Sequence, residues 1–148
     1  MSESHPSETA PTGVPVWFWI VSGLALLWNA FGLFDFYNSV SLNEEYLAAY
    51  PGYIEFIQSM PVWAMAGWGM GVSLSVVGSA LLLLRKAWAF HAYAIAIFGM
   101  IVSFGYQLTS DMTPDGDLVT TIMTGVIWVI AFALVWFAKM ATKKGWLS

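Results

Sequence analysis

The sequence contains no cysteine. That excludes disulfides, thiolate metal ligands and a thiol nucleophile. Charge is scarce as well: only 9% of the 148 residues are Asp, Glu, Lys or Arg, against about 25% in a soluble domain. No Lys or Arg occurs before Arg85. The polar opening, MSESHPSETAPTGVP, therefore lacks the basic region of a signal peptide. Residues 1–15 are read as a disordered tail, and the first apolar run is expected to remain in the mature chain. The net charge of −4 argues against a nucleic-acid partner.

What is abundant is apolar surface. Hydrophobic residues make up 59% of the chain, aromatics 17%, and there are nine Trp. A soluble fold has no place to bury so much, so the expected solvent is lipid, with Trp suited to its interfaces. A helix crossing about 30 Å of hydrocarbon takes roughly 20 residues. Four segments qualify: 16–37, 61–84, 88–108 and 118–140. The prediction is an all-α bundle of four membrane helices, arranged as two antiparallel hairpins in a single domain over 16–148.

The connection between the first two spans, residues 38–60, is the longest. Ser41 and Glu44 have the spacing of a capping box. Pro51-Gly52 is expected to divide the segment into two short helical pieces. Tyr46, Leu47, Tyr50, Ile54 and Ile57 would then lie on the membrane surface, as a lid or a plain amphipathic connector.

The basic residues are Arg85, Lys86, Lys139, Lys143 and Lys144. All fall on one side of a four-span topology. The other side carries Asp35, Glu44, Glu45, Glu55, Asp111, Asp115 and Asp117. By the positive-inside rule the basic side is cytoplasmic, and both termini with it. The expected location is a bacterial inner membrane.

Small residues recur at helical spacing. Ser22, Ala25, Asn29 and Gly32 share a stripe of the first span at about 100° per residue. Ala64, Gly67, Gly71, Ser75 and Gly78 do so in the second. Such stripes let helix backbones approach closely. Depth counting sets Gly32 level with Gly67, and Asn29 between Gly67 and Gly71. Asn29 is expected to hydrogen-bond across that seam. In the third span Ala92, Ala96, Gly99, Ser103 and Tyr106 form a stripe, expected to face Thr120, Thr124, Trp128 and Ala131, with Trp128 near Gly99. Gly69 offers a second small face for self-association.

Asp35 stands apart, beside Trp28 and at a helix C-terminus where the dipole disfavours an anion. It is read as a solvated edge residue, or as the ligand of a cation or partner. Asn29, Tyr106, Gln107, Thr121 and Thr124 gather in the outer half. They are either interhelical packing groups or the lining of a shallow pocket. The candidate ligand-binding residues are thus Trp28, Asn29, Asp35, Gln107, Thr121 and Thr124. The candidate packing residues are Gly32, Gly67, Gly71, Ser75, Gly78 and Gly99.

Catalytic signals are few. DMTPDGDL starts like a calcium loop, but its twelfth place is Ile122 rather than Glu, and Asp117 is better suited to cap the fourth span. His91 is isolated near the basic edge. No nucleophile–base set and no phosphate loop appears, so no enzyme activity, cofactor or metal is expected.

Trp28-Asn29, Gly32, Asp35, Pro61, Trp63, Trp68, Gly78, LLLLRK and KKGWLS together resemble a family of uncharacterised small four-span inner-membrane proteins of proteobacteria. Members are sometimes labelled sugar transporters. The resemblance implies the same four-span architecture over residues 16–148. The function expected from the residues is a scaffold or accessory subunit acting through helix contacts, with the bilayer, a further copy or another membrane protein as partner. The alternative is a transporter of a small solute such as a sugar, working as an oligomer.

Overall fold

The computed structural model describes residues 13–148. The tail expected at residues 1–15 falls mostly outside them; within them, residues 13–15 carry no secondary structure. The described chain is a four-helix transmembrane bundle. Its elements are α1 (Val16–Val40), α2 (Glu44–Leu47), α3 (Tyr53–Ser59), α4 (Val62–Leu83), α5 (Trp88–Thr109) and α6 (Leu118–Lys143). α1, α4, α5 and α6 are long and apolar enough to cross a membrane. The chain is a multi-pass membrane protein, with α2 and α3 as the short connector helices. The helix ends near Arg85 and Lys144 are called here the basic end, and those near Asp35 and Asp117 the acidic end.

Local chemistry sets the boundaries. Pro15 and Pro61 are the N-caps of α1 and α4, where their lack of an N–H costs nothing. Asp117 caps α6, accepting from the Thr120 N–H at 2.7 Å. α1, α4 and α6 each end in a Schellman turn. After α1, Asn43 N–H donates to the Asn38 carbonyl and Leu42 N–H to that of Ser39. Lys86 and Arg85 do the same to Leu81 and Leu82, and Trp146 and Gly145 to Ala141 and Thr142. The left-handed position falls on Gly145 at φ 72°, but on Leu42 and Arg85 in the other two turns, at 52° and 56°.

The capping box placed at Ser41 and Glu44 does not form. α1 runs on to Val40, so Ser41 closes a helix instead of opening one, and Asn43 caps α2 by accepting from the Tyr46 N–H at 3.2 Å. Pro51-Gly52 does divide the connector, with Gly52 at φ 79° ahead of α3.

The closest packing joins α4 to α5. A Cβ built on Gly67 would lie 2.9 Å from the Gly99 carbonyl oxygen, and one on Gly99 would lie 2.5 Å from that of Gly67. Gly71 backs onto Met100 and Ala96. The glycine seam thus belongs to α4 and α5, not to α4 and α1 as depth counting placed it. Gly69, about 200° around the helix from Gly67, is the one that faces α1. Its open face receives the Phe36 ring, 2.9 Å from the position of a Cβ, so it is not free for self-association. Gly32 approaches Val72 at 3.9 Å instead of Gly67. The register along α4 therefore differs by five residues, about 7.5 Å, because α1 continues beyond Tyr37 and the helix ends are not level.

α6 packs mainly through its basic half. Leu134, Phe137, Ala138 and Ala141 are buried with Phe18, Leu82, Ala89 and Leu147. Phe18 stacks on Phe137 at 5.7 Å. From Leu118 to Ala133 no residue of α6 is buried; Leu118 is 75% and Val129 68% exposed. The expected pairing of α6 with the small stripe of α5 is absent because α4 already fills it. Trp128 meets Phe104 instead, at 5.5 Å.

Candidate functional site

Two polar clusters stand out, one inside the bundle and one at the acidic end. The first is built on Ser79 of α4. Its hydroxyl donates to the Ser75 carbonyl at 2.9 Å. With that single proton used, its oxygen accepts from Asn29 Nδ2 of α1 at 2.9 Å and from the Tyr93 hydroxyl of α5 at 2.8 Å. Ser79 has no further hydrogen-bonding capacity. Gly78 makes room for this geometry, since a Cβ there would stand 2.9 to 3.0 Å from three atoms of the Tyr93 ring. The node ties three helices together and leaves Ser79 no free group to offer a ligand. Asn29 bonds across α1 and α4, as expected, but to Ser79 near the basic end of α4 and not beside Gly67 and Gly71.

The second cluster surrounds Asp35. Tyr46 of α2 donates its hydroxyl to Asp35 Oδ1 at 2.7 Å. The carboxylate therefore has a protein partner, supplied by the connector. Asn38, Asn43 and Ser41 lock the turn between α1 and α2: Asn43 Nδ2 donates to Asn38 Oδ1 at 2.8 Å and Ser41 Oγ to the Asn38 carbonyl at 3.2 Å. From Phe34 an aromatic chain runs through Tyr46, Tyr50, Tyr53 and Phe56 to Tyr106, each ring 5.7 to 6.4 Å from the next. Tyr106 closes it by donating to the Ser59 carbonyl at 3.1 Å. The connector is thus pinned to α1 at one end and to α5 at the other.

These contacts shift two phenols. Burial, then the hydrogen bond to Asp35 and that residue's charge, push Tyr46 well above the ordinary tyrosine range. Burial and then the Asp35 charge push Tyr53 up to about 12. At the start of α6, the hydrogen bond from the Thr120 N–H lowers the Asp117 carboxyl below its ordinary value.

The remaining candidates do not converge. Gln107 accepts from the Thr113 hydroxyl through its backbone carbonyl, at 2.7 Å. Thr121 and Thr124 spend their hydroxyls on their own helix, at the carbonyls of Asp117 and Thr120. Trp28 is half-buried. Among the described residues no hydrogen bond joins any two of Trp28, Asn29, Asp35, Gln107, Thr121 and Thr124. A surface cleft of about 460 Å³ lies between the connector and the α5–α6 loop, lined by Gly52, Glu55, Asp111, Thr113 and Asp115 among others. An apolar groove of about 380 Å³ lies beside Phe36, Met65 and Gly69. None of the six candidates lines either one. The described residues bring together no group of three His, Asp or Glu side chains able to hold a metal.

Sequence reasoning missed Ser79, Tyr93 and the role of Tyr46. Tyr93 carried a signal: a phenol five residues inside an apolar helix needs a partner. Tyr46 carried none, because its reach to Asp35 depends on how far α1 extends.

No family model, curated protein or solved structure matches the chain.

Proposed function

We propose that this is a small inner-membrane scaffold or accessory subunit, acting through helix–helix contacts and without catalysis. One observation carries the reading: the acidic half of α6 has no buried residue. Gly125 on it and Gly105 on α5 have nothing within 4 Å of where a Cβ would stand. Small residues facing outward on membrane helices suit a close approach by another helix. The polar groups support the same reading. Asn29 and Ser79 serve interhelical bonding, and the transport alternative has no set of converging side chains behind it. The orientation we adopt puts the basic end and both termini in the cytoplasm, in accordance with the distribution of Lys and Arg.

The absence of cysteine makes the test clean. A single cysteine in place of Gly125 should give an oxidative cross-link in intact membranes, to a second copy or to one defined membrane protein. A cysteine at Leu24, which is also exposed but is flanked on its own face by Ile20, Val21, Leu27 and Trp28, should not. No cross-link at Gly125, together with sugar uptake by proteoliposomes of the purified protein, would move the assignment to transport.

A further inference from the structure

We propose that Arg85 and Lys144, gathered on Trp146 at the basic end, bind the phosphate of an anionic lipid headgroup. Arg85 occupies the left-handed position of the turn after α4, at φ 56°. Residues 146–148 fold back against this turn. Ser148 N–H donates to the Arg85 carbonyl at 2.8 Å, and Ala87 N–H to the Ser148 carbonyl at 3.0 Å. Arg85 Nε donates to the Trp146 carbonyl at 2.8 Å. The Lys144 ammonium lies 5.4 Å from the centre of the Trp146 ring, within cation–π range. Trp146 is itself fixed, edge-on to Trp17 at 5.2 Å and to Phe18 at 5.9 Å. One tryptophan thus holds two cations, one through its backbone and one through its ring.

No described Asp or Glu side chain can neutralise them. Asp35, Glu44, Glu45, Glu55, Asp111, Asp115 and Asp117 all lie at the opposite end of the helices. The only other acids, Glu3 and Glu8, fall outside the described residues. Two helices begin and two end at this face, so their dipoles oppose one another and the side chains set the sign of the field. Arg85 spends only Nε, and its Nη groups make no hydrogen bond among the described residues. They form the planar fork that grips a phosphate with two hydrogen bonds. A phosphate there also relieves the repulsion between the two cations. The depth selects a lipid rather than a soluble anion. Trp17, Trp88 and Trp146 gather at this same end, where tryptophan marks the headgroup layer, and Trp88 is 70% exposed. Basic pockets between helix ends are a known means of holding anionic headgroups. The inference stands apart from the scaffold reading and does not need it.

The test is native mass spectrometry of the full chain in neutral detergent, titrated with phosphatidylglycerol or phosphatidylcholine. Phosphatidylglycerol should remain bound at a defined stoichiometry, and phosphatidylcholine should not. Lys144→Gln removes a cation that makes no hydrogen bond, so the fold should persist while phosphatidylglycerol binds about fivefold more weakly. Lys144→Arg should retain binding. Lys139→Gln, five residues earlier on α6, should change it less than about twofold. Equal binding of both lipids, an unchanged Lys144→Gln, or an equal loss at Lys139→Gln would overturn the site. Displacement of the lipid by inorganic phosphate would overturn its assignment to a lipid headgroup.

Discussion

Tyr93 lies in the notch that Gly78 leaves in α4: a Cβ at position 78 would stand 2.9 Å from Cε1 of the tyrosine ring. The same ring carries the hydroxyl that meets Ser79 at 2.8 Å. Packing and hydrogen bonding at this level are therefore one feature, and a change in either should disturb the other. Gly78→Ala forces the ring outward. It should cost about 1 to 3 kcal/mol, the usual range for overpacking. Tyr93→Phe keeps the ring and removes the bond, and should cost about 0.6 to 2 kcal/mol. Thermal melts in detergent give both values. If Gly78→Ala melts with the wild type, the ring is not held in that notch.

The glycine seam makes a sharper comparison. Gly67 and Gly99 touch backbone to backbone, whereas the nearest atom to a Cβ at Gly32 is 3.9 Å away. Gly99→Ala should therefore destabilise by about 1 to 3 kcal/mol. Gly32→Ala should be neutral or slightly stabilising, because alanine is the better helix former. The reverse order would restore the seam to α1 and α4.

At the acidic end, Asp35→Asn and Tyr46→Phe both remove a charge-assisted hydrogen bond. The bond joins a connector helix of four residues to α1, so the loss should be local. Hydrogen exchange over residues 44–50 should speed up in both variants, with little change in melting temperature. A large fall in melting temperature without faster exchange there would contradict the pinning of the connector by Tyr46.

The tyrosines of the connector also set a pH dependence. Tyr53 is raised to about 12, above the ordinary tyrosine value of about 10, and Tyr46 is raised further. Between those values the folded chain keeps protons that the unfolded chain releases. The stabilisation is thus whole below pH 10 and falls as pH rises through about 12. Tyr46 and Tyr53 should both ionise late in a near-ultraviolet titration. Asp35→Asn should bring both down, since the Asp35 charge raises each of them. Unshifted titration in the variant would remove Asp35 from the account.

Much of the architecture was legible in the sequence because the bilayer imposes length and polarity on each span. The four helices, the Pro61 start, the Asp117 cap and the break at Pro51-Gly52 all follow from local chemistry. Pairing was harder to read. Gly67, Gly69 and Gly71 are close in sequence but lie on two faces of α4, and composition does not say which face meets α1. Depth counting also assumed level helix ends, and the continuation of α1 to Val40 shifted Gly32 from Gly67 to Val72. Asn29 was correctly singled out as a cross-helix donor, while its acceptor was misplaced by the same shift. The binding candidates rested on a shared depth in the outer half. The structure separates them because a threonine in a helix readily bonds its own preceding turn, as Thr121 and Thr124 do.

The central claim is that the acidic half of α6 awaits another helix. The most direct measurement is oxidative cross-linking of the single-cysteine variants Thr121→Cys, Gly125→Cys and Val129→Cys in native membranes. All three positions are exposed. A helix seated against Gly125 should give a dominant cross-link there and a repeat along one face of α6, visible as a single new band. Uniformly weak cross-linking at all three positions, equal to that of a variant at Leu24, would mean that this half of α6 faces only lipid and would contradict the account.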